Sequence, residues 1–300
     1  MVDATIPVDL RNPGQVFGCL GLMEAAEVFC GPAEGVYAWV EGETRATFTV
    51  SVAGDADPIR EIVEFLTTAE ARALNALVPN DAGVRHSAVK WHVVTEAFEG
   101  GDWAIFPFDV PDSPATLPVK LIGPKGTLLI SHWGDDPVSM GRDNVKFWAG
   151  SGGYPGAALA RDALALVASL GGNALTEAVA DPFNLAAPQS SSFGFDWRRS
   201  YVPLEAGFSP NAHGNIKMVG YPLVELLAAI GLQNARPERP DRGNKLAYRY
   251  AVSNARLPTL FARAVLGGQS LGFNVRRFRM QLDWPGQEGQ ARCIIDSREE

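Results

Sequence analysis

Residues 193–240 read FGFDWRRSYVPLEAGFSPNAHGNIKMVGYPLVELLAAIGLQNARPERP and join an aromatic segment, an arginine pair, a polar loop and an apolar helix. Aromatic residues alternate with small or charged ones over 193–198, and this period of two predicts a strand with one aromatic face. Glycine, proline and asparagine residues between positions 207 and 220 predict a loop. Pro222 followed by apolar residues up to Gly231 predicts a buried helix. Residue types that contact polyanions therefore adjoin residue types that form a core.

The rest of the chain predicts an α+β fold, with packed helices on a mixed, mostly antiparallel sheet. Further helices are expected at 13–29, 57–79, 155–170 and 257–266. Further strands are expected at 5–10, 36–41, 46–52, 88–98, 103–108, 117–122, 127–133, 145–149, 245–252, 274–284 and 291–296. The glycine-rich residues 150–153 suggest a boundary between an acidic lobe, 1–149, and a basic lobe, 150–300, with one continuous domain as the alternative.

The first predicted helix has a well-defined start. Asn12 is placed as its N-cap, Pro13 occupies the first helical position, and Gln15 stands at the third position, as in a capping box. Apolar residues then cover most of the helix circumference, so this helix is expected to be interior rather than on the surface.

Composition describes a folded protein of the cell interior. The 300 residues are 46% hydrophobic, which is enough for a substantial core. No run approaches the roughly 20 apolar residues needed to span a bilayer, and the first residues lack a basic segment followed by an apolar one. Cys19, Cys30 and Cys293 form no C-x-x-C motif and are expected to stay reduced. These features indicate a cytoplasmic location.

Charge is distributed unevenly along the chain, although the net charge is −8. After residue 192 stand 15 of the 26 Lys and Arg residues, of which 13 are arginines, but only 10 of the 34 acidic residues. The arginine fork suits phosphate and base edges, so a basic final third in an acidic protein favours a nucleic-acid partner. The alternative is a solvated basic face that pairs with the acidic part.

Two arginine groups outside the pair Arg198-Arg199 have a spacing that suits a polyanion. On the predicted strand 274–284, Arg277 and Arg279 share the face opposite the apolar one, about 6.8 Å apart for a two-residue step. Prolines keep the run after the apolar helix extended, so its arginines should point outward. These are Arg236, Arg239 and Arg242. Five aromatic residues could stack on bases, although core packing is the commoner role: Trp197, Tyr201, Tyr221, Tyr248 and Tyr250.

Catalytic motifs find little support. Residues 268–272 fit G-x-S-x-G, but a nucleophile elbow requires a strand before the serine and a helix after it, and the predicted order here is the reverse. The histidines have no metalloprotease or zinc spacing, and no Rossmann or P-loop motif is complete, so neither a metal nor a cofactor is expected. His213, in the polar loop, is the one histidine placed to act as a general base or to contact phosphate.

Several longer strings resemble the Csb-type subunits of type I-U CRISPR systems, which are also called type I-G. They are PVDLRNPGQVFGCLGLMEAAEVF at 7–29, KFWAG at 146–150, and FDWRRSY, AGFSPNA and YPLVELLAAIGLQNARP within the segment quoted above. The resemblance runs along the full length of the chain.

The resemblance implies a noncatalytic subunit of an RNA-guided surveillance complex of the Cascade type, active in antiviral defence. Large-subunit relatives read the short motif beside the target DNA, support the R-loop and present it to a separate helicase-nuclease, whereas backbone relatives bind the guide RNA. Guide RNA, target DNA and the other Cascade subunits are the implied partners. The candidate nucleic-acid contacts, by position and by charge, are Lys146, Trp148, Arg198, Arg199, Asn211, His213, Lys217, Arg236, Arg239, Arg242, Arg277 and Arg279.

Two other classes of function remain open. A metal-free ribonuclease that processes guide RNA needs little more than His213 as base and Lys217 or an arginine to stabilise the transition state. An adaptor protein would use the acidic part to bind protein partners and would leave the basic third merely solvated. Because the chain is short and shows no C-terminal helical bundle, a large-subunit role would depend on another protein.

Overall fold

The computed structural model describes residues 1–75, 90–97, 119–130, 156–199, 216–241, 243–244, 246–283 and 293–300. Six α-helices lie in these ranges: α1 Pro13–Phe29, α2 Pro58–Thr68, α3 Gly156–Ala168, α4 Asn173–Ala180, α5 Pro222–Gly231 and α6 Thr259–Leu266. The strands are β1 Val2–Asp9, β2 Ala33–Trp39, β3 Arg45–Val52, β4 Glu70–Asn75, β5 Thr95–Ala97, β6 Val119–Gly123, β7 Gly126–Ile130, β8 Ala187–Gln189, β9 Met218–Gly220, β10 Ala247–Ser253, β11 Leu257–Pro258, β12 Val275–Asp283 and β13 Cys293–Glu299. The predicted α+β class is confirmed.

The N-terminal sheet has the strand order β1-β3-β2-β11, with every neighbouring pair antiparallel. Its first three strands and α1 form a split β-α-β unit, in which the strand that is third in sequence lies between the first two. Helix α1 begins as predicted, since the Asn12 side chain accepts a hydrogen bond from the Gln15 amide. The Gln15 side chain in turn accepts one from the Asp9 amide at 2.7 Å.

Helices α1 and α5 cross in the centre of the molecule, and both are buried. Glycine makes their close approach possible: a Cβ on Gly21 would lie 1.9 Å from the carbonyl oxygen of Leu227, and one on Gly231 would lie 2.0 Å from that of Phe17. Every residue from Pro222 to Gly231 is buried. This crossing joins the N-terminal part of the chain to the segment 193–240.

The C-terminal sheet has the antiparallel order β10-β12-β13 and places its apolar side toward the core. Tyr248 lies opposite Met280, and Tyr250 lies opposite Phe278. All four side chains are buried. The remaining strands form a four-stranded sheet, β5-β4-β6-β7, and the pair β8-β9.

Contacts cross the division predicted at residue 150. Strand β11 pairs with β2, α5 packs on α1, and one core cluster extends from Ile6 to Ile294. The two lobes and the alternative of one continuous domain both remain predictions. No helix in the described ranges combines the length and apolarity needed to cross a membrane.

Several predicted elements differ from the structure, including the end of the loop predicted between 207 and 220, where Met218–Gly220 forms β9. Residues 193–197 form no strand: Gly194 adopts a φ of 83°, and side chains bind the backbone that a strand would use. The helix expected over 57–79 ends at Thr68, because the following residues pair with β6 as strand β4. The strand expected over 88–98 shrinks to Thr95–Ala97 within its described part. The strands expected at 103–108 and 145–149 lie outside the described residues.

Candidate nucleic-acid interface

Three arginines lie side by side across the C-terminal sheet, one on each strand. Arg249 of β10 is opposite Arg279 of β12, which is in turn opposite Arg298 of β13. We call these three residues the arginine row. Phe278 and Met280, on either side of Arg279, are fully buried, so the row lies on the face of the sheet turned away from the core. Adjacent strands are about 4.8 Å apart, so the row extends over roughly 10 Å.

Arg277 lies on the same face, one two-residue step along β12 from Arg279. The shared face that the sequence predicts for these two residues is confirmed. Arg277 is half-buried and Arg298 is exposed. Within the described ranges, neither side chain has a carboxylate within ion-pair distance. Two guanidinium groups on this face therefore lack a counterion from the described chain.

Two carboxylates do contact the row, both at the Arg249 end. Glu238 lies 3.1 Å from Arg249, while Glu300 forms an ion pair with Arg249 and is 3.9 Å from Arg279. Both partners raise the pKa of Arg249, chiefly through the hydrogen bond that Arg249 donates to Glu300. The alternation of side chains along each strand puts Asp296 of β13 and Asp283 of β12 on the face of the row as well, and Asp296 lies 3.7 Å from Arg11. The uncompensated positive charge is therefore local, at Arg277 and Arg298.

The arginine-proline run after α5 lies beside β10. Glu238 and Arg249 exchange backbone hydrogen bonds of 2.8 and 2.7 Å and form an isolated antiparallel bridge. One residue of this run is therefore paired with β10. Arg236, in the run, is exposed and Arg239 is half-buried. The structure therefore places the segment that carries Arg236 and Arg239 beside β10, at the edge of the sheet whose central strand carries Arg277 and Arg279.

Arg198 lies in a different cluster, in which its own side chain is 27% exposed but its carboxylate partner is buried. Its guanidinium group forms a bidentate ion pair with Asp196, with contacts of 2.5 to 3.1 Å, and donates to the carbonyl oxygen of Phe183 at 2.6 Å. It also stacks on Tyr221, 3.4 Å from the ring centroid. Asp196 is 1% exposed and accepts a further hydrogen bond from Asn12. Arg198 therefore neutralises a buried carboxylate.

Glu225 holds the backbone of the same cluster from the first turns of α5. Its two carboxylate oxygens accept hydrogen bonds from the amides of Phe195 and Asp196, at 3.3 and 3.1 Å. The pKa of Glu225 is raised to about 7, chiefly by burial and in part by the neighbouring Asp196 carboxylate, although the two amide donors and Arg199 lower it. A hydrogen-bonded acid thus fixes the backbone where the sequence predicts a strand.

Arg199 is likewise engaged by the protein. It donates to the hydroxyl of Ser192 and to the carbonyl oxygens of Gln189 and Ser190, the latter two at 3.0 and 3.1 Å. Lys217 is exposed immediately before β9. Five predicted contacts lie outside the described residues: Lys146, Trp148, Asn211, His213 and Arg242. All the residues named from the sequence remain predictions as nucleic-acid contacts.

Other arginines of the basic third pair with carboxylates. Arg256 lies 3.5 Å from Asp3, and Arg263 lies 2.6 Å from Glu24, so two of these arginines neutralise acidic residues near the N-terminus. Arg276, on the central strand β12, pairs with Glu299 of β13 at 2.6 Å. The expected pairing between the basic and acidic parts is therefore real for some residues. Tyr248 and Tyr250 are core residues rather than stacking platforms.

Sequence reasoning missed Arg249, Arg298 and Glu300. Arg249 stands between two tyrosines in AYRYAV, and the same alternation that identified Arg277 and Arg279 would have placed it on the outer face. The cross-strand register that aligns the three arginines is not readable from local sequence. No group of three or more His, Cys, Asp or Glu residues in the described ranges could hold a metal ion.

Comparison of the chain with protein families, curated proteins and solved structures found no match.

Proposed function

We propose that this chain is a noncatalytic nucleic-acid-binding subunit of an RNA-guided type I CRISPR interference complex. Its role is that of a large subunit, which recognises target DNA and supports the R-loop, and the outer face of the C-terminal sheet contacts phosphate. The arginine row is the observation that carries the proposal. The family resemblance of the longer sequence strings supplies the kind of complex, with guide RNA, target DNA, other Cascade subunits and a separate helicase-nuclease as partners.

The row supports a polyanionic ligand because it is unfavourable for the isolated fold. Like charges directly opposite each other on neighbouring strands destabilise a sheet. Three arginines in successive cross-strand positions incur this cost twice, and the two carboxylates that contact the row leave Arg277 and Arg298 without a described ion-pair partner. A phosphate backbone would supply the missing negative charge, and guanidinium groups bind phosphate in a bidentate geometry.

A backbone subunit that binds guide RNA is the second candidate, favoured by the N-terminal sheet. The split β-α-β unit formed by β1, α1, β2 and β3 has the topology on which RNA-recognition domains are built. Those domains stack bases on aromatic residues of the sheet surface, whereas the outward positions on β1 and β3 are occupied by small, polar or charged residues: Asp3, Thr5, Pro7, Thr47 and Thr49. The topology therefore suits RNA better than the surface chemistry does.

Charge reversal in the row tests the proposal. The double variant Arg279→Glu/Arg298→Glu is compared with Arg60→Glu/Lys90→Glu, which changes the net charge equally at exposed positions of the acidic part. Binding of labelled double-stranded DNA and of single-stranded RNA is followed by fluorescence anisotropy, with circular dichroism to confirm folding. Because a surface charge pair is worth about 1 kcal/mol, the row variant should bind at least about tenfold more weakly than the control variant.

The two ligands distinguish the two candidates. Loss of DNA binding in the row variant supports the large-subunit role, and loss confined to RNA supports the backbone role. Equal affinities of the folded row variant and the control variant for both ligands would refute the assignment of this face to nucleic acid.

A further inference from the structure

The Glu300 carboxylate lies between two arginines of the row. It forms an ion pair with Nε of Arg249 and is 3.9 Å from Nη1 of Arg279. The Glu300 amide also donates to the carbonyl oxygen of Arg277 at 3.0 Å, which places this residue alongside β12. An acidic side chain therefore stands where a bridging anion would contact two neighbouring strands.

The three side chains of this contact are all accessible. Arg249 and Glu300 are each 27% exposed and Arg279 is 34% exposed. Ion pairs at such positions are weak, because water screens both charges and ordering two long side chains costs entropy. The Glu300 carboxylate can therefore leave the arginines without creating a buried, unpaired charge.

We propose that Glu300 is a displaceable intramolecular counterion of the arginine row, and that a phosphate group of the ligand takes its place between Arg249 and Arg279. This inference rests on the proposed function and adds a site to it. Phosphate oxygens can contact both guanidinium groups at once, as the glutamate does here. Glu300 prevents the row from repelling itself in the free protein and competes with the ligand for the same donors.

Glu238 has a different role at the other side of Arg249. Its backbone is held by the two bridge hydrogen bonds to Arg249, so its carboxylate is attached to a segment that is itself part of the sheet. It lies 3.1 Å from Nη1 of Arg249, a different nitrogen from the one that Glu300 contacts. Arg249 can keep its contact with Glu238 while Glu300 is exchanged.

The variant Glu300→Gln tests the exchange, with Glu299→Gln as the matched control. Both substitutions remove one negative charge from adjacent residues, but Glu299 pairs with Arg276 rather than with the row. Elution from a heparin column in a salt gradient measures affinity for a polyanion that is not a nucleic acid. Anisotropy with a labelled oligonucleotide measures affinity for the proposed ligand.

Removal of the competing charge should make Glu300→Gln bind the oligonucleotide about fivefold more tightly and elute from heparin at higher salt, with Glu299→Gln close to the wild type. If the affinities of both variants increase by the same factor, the effect is due to net charge and the exchange is refuted. Unchanged or weaker binding by Glu300→Gln refutes it as well. If the oligonucleotide does not bind at all, the proposed function is refuted. The heparin measurement still tests the exchange of Glu300 in that case, because heparin is a polyanion but not a nucleic acid.

Discussion

The arginines of the FDWRR string and those of the arginine row are chemically identical but are used in different ways. The guanidinium group of Arg198 contacts a buried carboxylate, a carbonyl oxygen and an aromatic ring. The row instead lies on an outer sheet face, where Arg298 is exposed and has no described carboxylate partner. A run of basic residues therefore indicates a ligand only where the protein's own carboxylates and carbonyl oxygens do not already bind the guanidinium groups.

The largest difference between the two regions should appear in stability. Arg198→Ala leaves Asp196 buried without its ion-pair partner, and removal of one partner of a buried pair costs about 3 kcal/mol or slightly more. Urea unfolding of Arg198→Ala should therefore show a loss of that size in the free energy of unfolding. Binding measured on the folded variant then decides whether Arg198 also contacts nucleic acid.

Arg279→Ala is the matched comparison in the row. Its partner, Glu300, is partly exposed, and a surface ion pair contributes at most about 1 kcal/mol. Its loss of stability should stay below that value. Equal losses in Arg198→Ala and Arg279→Ala would remove the structural distinction between the two regions.

The internal region should also respond to pH in a way that the row does not. Burial raises the pKa of Glu225 from its ordinary value of 4.5 to about 7 in the folded state. A raised pKa means that the folded protein binds the proton more tightly, so this contribution to stability is complete below pH 4.5 and is lost as pH rises through 7. The shift corresponds to about 3 kcal/mol.

Glu225→Gln isolates this contribution, since glutamine does not titrate. The free energy of unfolding of the wild type, measured relative to Glu225→Gln, should fall by about 3 kcal/mol or somewhat less between pH 4.5 and pH 8. The free energy of unfolding of the wild type, measured relative to Arg279→Ala, should be nearly constant over the same pH range. A wild-type and a Glu225→Gln profile that run parallel would show that Glu225 titrates normally.

Local signals predicted most of the fold. Helix α1 begins at its capping residue because the Asn12 contact is made within four residues, and β12 shows its two faces directly in the alternation of Phe278 and Arg279. The errors occurred where distant residues determine the backbone. Glu225, 29 residues further along, fixes the Asp196 amide, and β6 pairs with residues that have helical periodicity.

The candidate site was only half predictable for the same reason. Alternation along one strand gives Arg277 and Arg279, but their alignment with Arg249 and Arg298 depends on the register of three strands. The internal use of Arg198 depends on a carboxylate two residues away whose burial is a tertiary property. Sequence patterns thus identify charged faces and do not reveal which charges the fold neutralises.

The salt dependence of nucleic-acid binding tests the central claim most directly. Each phosphate contact contributes close to one unit to the slope of log affinity against log salt concentration. We predict that Arg277→Ala/Arg298→Ala, which removes the two arginines without a described counterion, lowers the magnitude of that slope by about two. A slope equal to that of the wild type would contradict the claim that this face meets phosphate.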